Sequence, residues 1–179
     1  MPRQQFAGSL IDSWSTPDNR DTLALAIGSS PSAMAKKSPL SSTAVRAKLN
    51  AARVARLATV GDQETPHLVP VCFALCANVL YSAIDRKPKR VAPKRLGRIR
   101  NLKNSPRVAL LVDRYEENWK RLWYVMVRGK AKLVSAPGER KRALRSLRAK
   151  YPQYKGEMLP DDAPILRITP ERIIAWGII

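Results

Sequence analysis

From Ser41 onward the apolar residues fall into alternating runs of helical and strand period. Ser41, Ser42 and Thr43 offer N-caps, and Val45, Leu49 and Ala52 follow at helical spacing, which predicts a helix to about Arg53. Three apolar runs come next: Ala55–Val60, His67–Leu75 and Val79–Ile84. Their links are short, Gly61-Asp62-Gln63-Glu64 and Cys76-Ala77-Asn78, so the runs read as three antiparallel strands in a meander. Pro70 sits inside the second run. Proline cannot donate to a strand ladder, so it predicts an edge strand or a bulge there.

Further along, Leu96, Ile99 and Leu102 mark one face of a helix that follows a basic loop. Arg107–Asp113 reads as a buried strand, and Trp123–Val134 as a long strand bent at Gly129. Pro137 opens a helix that runs through Leu144 and Leu147 to Tyr151. Ile165–Ile168 and Arg172–Trp176 close the chain as two more strands. About six antiparallel strands with helices at the crossings predict a mainly β domain with flanking helices and a barrel-like sheet.

Residues 1–40 break this pattern. They are rich in Ser, Pro, Asp and Asn, and apart from a brief run at Leu23–Ile27 they show no apolar period. They read as a disordered extension ahead of one domain at 41–179, and Met34 would serve as an alternative start. Neither a basic start followed by an apolar run nor an Arg-rich, acid-poor leader is present. No apolar stretch approaches the roughly 18 residues of a membrane-spanning helix.

Charge changes the picture most. Lys and Arg number 33 against 14 Asp and Glu, a net of +19. The extension is nearly neutral, since Arg3, Arg20, Lys36 and Lys37 face Asp12, Asp18 and Asp21. The excess therefore belongs to the domain and implies an anionic partner. It peaks at Arg86, Lys87, Lys89, Arg90, Lys94, Arg95, Arg98, Arg100 and Lys103, with no acid interspersed. One reading is a solvated basic face; the other is a phosphate site, where cations join the amides of a helix N-terminus. No Phe, Tyr or Trp lies between Ile84 and Val112, which weighs against single-stranded nucleic acid, whose binders interleave aromatics for stacking.

Other candidates carry less. His67 is the only histidine and reads first as structural. Cys72 and Cys76, if both lie in a strand, are about 13 Å apart, too far for a disulfide, so they are expected as free thiols in a reducing, cytoplasmic setting. No zinc spacing, nucleophile–base pattern or glycine-rich phosphate loop appears. Trp119, Trp123 and Tyr124 read as packing residues or as a platform for a ligand ring. With no self-sufficient catalytic side chains in view, any enzymatic chemistry is expected to come from a cofactor.

Several ordered pieces carry a resemblance. They are Leu57-Ala-Thr-Val60, Pro66-His-Leu-Val-Pro-Val71, Tyr81-Ser82 with Lys87-Pro-Lys89, Arg100-Asn101-Leu102, Pro106–Val112 and Trp123–Gly129. Across residues 42–177 the sequence resembles the pyridoxamine-phosphate-oxidase-like split β-barrel proteins. Tyr115–Trp123 is similar to a stretch of their coenzyme F-420-dependent oxidoreductases. The resemblance implies a six-stranded antiparallel split β-barrel of the FMN-binding type and a homodimer. It implies coenzyme F-420, or alternatively FMN, as cofactor, with hydride transfer to or from a small organic substrate; a flavin-binding protein of the same fold without turnover is the alternative within the family. On this chain it assigns the phosphate to Lys87 and Lys89, joined by Arg86, Arg98 or Arg100. Leu57, Thr59, Val69, Pro70 and Val71 would flank the ring, and Ser82 would hydrogen-bond the cofactor tail. A nucleic-acid-binding basic module is the alternative of another class.

Overall fold

The computed structural model describes residues 40–88 and 92–177. The expected extension, up to residue 39, and Lys89 lie outside the described residues. Helix α1 (Thr43–Ala51) starts where the Ser/Thr cluster predicts, with Ser42 Oγ accepting from the Val45 amide at 3.3 Å. Leu40, just ahead of it, is packed into the core with Val45 and Leu49.

Seven strands follow: β1 (Ala55–Val60), β2 (Pro66–Val71), β3 (Ala74–Cys76), β4 (Val79–Ala83), β5 (Arg107–Arg114), β6 (Trp123–Leu133) and β7 (Ile165–Gly177). Helix α2 (Gly97–Asn104) precedes β5, and helix α3 (Pro137–Lys150) links β6 to β7. All pairings are antiparallel, in the order β2-β1-β5-β6-β7-β4-β3. The strand number is seven, where six were expected, and two of the predicted runs divide differently, in ways that offset each other in the count. The run His67–Leu75 breaks at Cys72-Phe73 into β2 and β3, so no three-stranded meander forms. Conversely, the two closing runs join into the single strand β7 across Pro170.

The break shapes the sheet. β2 and β3 occupy opposite edges, yet only Cys72 and Phe73 separate them in the chain. Three residue steps span at most about 11 Å, so the two edges must meet at this seam and the sheet must curl into a split barrel. Tyr151 pins the seam from the end of α3. Its hydroxyl accepts from the Phe73 amide at 3.0 Å and lies 2.9 Å from the carbonyls of Phe73 and Arg53, either of which can take its proton. Pro70 lies on the edge strand β2, where a missing amide costs no ladder bond.

The bend at Gly129 is a bulge, with the β6–β7 register shifting between Arg128 and Gly129. A Cβ there would collide with the Thr169 carbonyl, and this close approach requires glycine. The same irregularity accommodates Pro170, opposite Gly129.

Alternation then makes two packed layers. Val108, Leu110 and Val112 of β5 and Val125 and Val127 of β6 fill the barrel interior with Leu57, Leu80, Leu166 and Ile168. The other face of β4 packs Tyr81 and Ala83 against Leu144, Leu147, Tyr151 and Tyr154 of the α3 region. Among the described residues no helix is long and apolar enough to cross a membrane.

Candidate anion and cofactor site

The site is built on α2. Ile99 anchors this helix in the barrel interior, and buried Asn101 donates from Nδ2 to Thr59 Oγ1 of β1 at 2.9 Å. Thr59 Oγ1 also lies 3.4 Å from His67 Nδ1 on β2, so one buried polar contact ties the helix to both strands. The docking places Arg98 against the seam, where it lines a cavity of about 160 Å³ with Pro70, Val71, Cys72, Ala83, Asp85, Lys87 and Pro88. Arg98 Nε is buried with no hydrogen-bond partner among the described residues. Burial pulls the guanidinium below its ordinary value, and Asp85 opposes that pull.

Lys87 is the second cation. Its Nζ donates to Asp85 Oδ2 at 2.9 Å and lies 3.6 Å from Cys72 Sγ. Partial burial, the largest single influence, lowers its affinity for the proton, but the bond and charge of Asp85, together with Cys72, outweigh it and hold the ammonium above its ordinary value. Asp85 Oδ2 also accepts from the Tyr154 hydroxyl at 2.8 Å. Burial first, then bonds to Cys72 and Asp85, push that hydroxyl far above the usual phenol range. A well-buried carboxylate therefore orients the lysine from behind, and a buried tyrosine orients the carboxylate.

Four of the ten residues expected at the site converge on this cavity: Pro70, Val71, Lys87 and Arg98. Val71 lines it while also packing in the interior. Leu57 is fully buried in that interior, Val69 packs against it, and Ser82 is buried one residue before Ala83. Thr59 serves Asn101 and His67, and lines a separate cavity of about 400 Å³ with Arg107 and Arg128. Arg100, two residues beyond Arg98, is exposed and outside the lining. Cys72 and Cys76 are free thiols, as their spacing predicts.

The sequence reading missed Asp85, Tyr154 and Asn101 as working parts. Asp85 stands one residue before the cationic run, which was a visible signal; Asn101 lies off the face of Leu96, Ile99 and Leu102, and only the docking of α2 buries it. Tyr154 gave none, because 69 residues separate it from Asp85.

A cavity of about 160 Å³ is below the roughly 300–1,000 Å³ that encloses a whole small ligand, so it suits one end of a molecule. Asp85 offsets the charge of Lys87, so the surplus is the Arg98 guanidinium, whose buried Nε is unpartnered among the described residues and suits a phosphate. The residues present thus fit the phosphorylated end of a cofactor.

The sequence profile of the pyridoxamine 5'-phosphate oxidase family matches residues 41–177. The chain belongs to that family. Solved structures agree on the fold. A conserved hypothetical protein of Mycobacterium tuberculosis superposes with a TM-score of 0.61 at 22% identity, over 74% of this chain and 82% of that one. A heme-binding protein of Mycobacterium smegmatis gives 0.60 at 18% identity, over 76% of this chain and 54% of its own. An FAD-binding protein of the same organism gives 0.52 at 21% identity, over 76% and 96%. A search among curated proteins gives no match.

Proposed function

We propose that the chain binds a phosphorylated flavin-type cofactor, coenzyme F-420 with FMN as the alternative, and acts as an oxidoreductase on a small organic substrate. Arg98 carries the reading: a guanidinium held at the seam by a docked helix, with a buried nitrogen that lacks an acceptor among the described residues. When bound, the cofactor supplies hydride transfer. The chain's own residues bind and orient it. Lys87 and Arg98 hold the phosphate through charge-assisted bonds, Asp85 fixes the lysine, and Val69, Pro70 and Val71 would flank the ring. Lys89, Arg100 and Ser82 remain part of the proposed set, with Leu57 and Thr59 setting the strand beside it.

A homodimer completes the reading. Among the described residues β2 is an edge strand of the sheet, and Leu68 on it is 63% exposed. A second copy would cover this edge.

Heme is the second reading, because one structural neighbour is a heme-binding protein. Heme iron is commonly held by histidine. The ring of His67, the only histidine, abuts Gly97 so closely that a Cβ there would lie 2.7 Å from Nε2, while Nδ1 faces Thr59. This leaves no room for iron at Nε2 and favours the flavin.

The test is a side-by-side titration with F-420, FMN and hemin at near-physiological salt. Saturable F-420 binding is expected, and Lys87→Ala with Arg98→Gln should weaken it at least about tenfold while melting is unchanged. Preference for FMN would keep the phosphate site and move the chemistry to an ordinary flavin. Binding of none, or an affinity indifferent to both substitutions, would overturn the reading. Steeply salt-dependent binding of nucleic acid would then be the next test.

A further inference from the structure

A larger cavity, about 450 Å³, shares Cys72 and Lys87 with the Arg98 cavity. Its remaining walls are Arg53, Tyr151, Gln153, Tyr154 and Met158. The volume is in the range that encloses a small organic molecule, and the walls are largely aromatic and thioether. No carboxylate lines it.

Asp85 pairs with Lys87, so the surplus charge here comes from Arg53 and Lys150. The Arg53 guanidinium lies over the Tyr151 ring, 4.5 Å from its centroid, and Nη1 donates to the Lys150 carbonyl. Lys150 Nζ donates to the Leu49 carbonyl at 2.9 Å and stands 3.9 Å from the centre of the Phe73 ring and 5.8 Å from that of Tyr151. Neither cation makes an ion pair among the described residues. Burial, then the neighbouring Arg53 charge, brings Lys150 down to about 8. Two cations therefore repel each other beside an apolar, acid-free hollow, and an anion there would relieve the repulsion.

We propose that this cavity is a second binding site, for a small apolar carboxylate whose body packs on Tyr151, Tyr154 and Met158 and whose charge sits on Arg53. The two sites adjoin through Cys72 and Lys87 and differ in their guanidinium: Arg98 lines only the cofactor cavity and Arg53 only this one. Calorimetric titration of the full chain with 2-naphthoate and its neutral isostere 2-naphthamide tests it. Naphthoate should bind at least about tenfold more tightly. That preference should survive Arg53→Lys and Arg98→Gln and be lost in Arg53→Gln. Equal affinity for the two probes overturns the proposal. So does a preference that Arg53→Gln leaves intact, or one that Arg98→Gln removes as well, which would reveal only a diffuse basic surface.

Discussion

Strand β4 faces two different interiors. Leu80 points into the barrel, among Leu57, Leu110, Val112, Val125 and Ile168, where the large side chains are apolar. Tyr81, one residue on, points toward α3, into a layer containing three buried tyrosines. Each hydroxyl of that layer has a directed task. Tyr81 donates to Glu139 Oε1 at 2.9 Å, Tyr151 pins the seam, and Tyr154 orients Asp85. Burial, helped by Glu139, pushes the Tyr81 hydroxyl up to about 12. Non-directional burial can stabilise a barrel, but it cannot aim a carboxylate at a lysine; directional hydroxyl bonds can. Both layers contribute packing, but the tyrosine layer also aims the Asp85–Lys87 half of the site, while the docking of α2 on the barrel positions Arg98.

The harshest way to break that contrast is at the barrel's main ladder. Gly129→Ala would force β6 and β7 apart at the Thr169 carbonyl, and the expected loss is about 3 kcal/mol or more, read from urea unfolding. A loss under about 1 kcal/mol would mean that the bulge tolerates a side chain and that the close approach is not a constraint.

A paired experiment separates the layers. Leu110→Ala empties a fully buried position and should cost about 2–5 kcal/mol, with cofactor affinity per folded molecule unchanged. Tyr154→Phe keeps the volume but removes the donor to Asp85. It should cost only about 1–2 kcal/mol, yet weaken the cofactor through a misplaced Lys87. If the tyrosine change left affinity untouched, the division of labour would fail.

The smallest effect is a pH dependence on the α3 side. Lys150 titrates near 8 in the folded chain and near 10.5 unfolded. Between those values the unfolded chain binds more protons, so Lys150 makes stability rise as pH climbs from about 8 toward 10. Lys150→Met should flatten this rise in chemical denaturation at pH 7, 8.5 and 10. An equally steep rise in the variant would assign it to another group.

Much of the fold was legible because periodicity is local. The strand Ala55–Val60 has the bounds its apolar run predicts, and Pro137 opens α3 as expected. The break at Cys72-Phe73 was not legible, since the run stays apolar across it and only strand pairing shows that its halves serve opposite edges. Pro170 was read as a gap for the converse reason: a proline interrupts an isolated strand pattern, and only the bulge in β6 makes room for it.

The same division holds at the site. The sequence by itself determined the cationic run, the edge proline, the free thiols and the family, because charge count, backbone donors and ordered motifs are properties of the chain. Tertiary structure alone decided which cations count. It docked α2 through Asn101 and Thr59 to bring Arg98 to the seam, and left Arg100 exposed. It also set Asp85 and Tyr154 behind Lys87, a contact between residues far apart in sequence. Such contacts depend on how the sheet closes, and closure is a global balance of packing that no local window of residues contains.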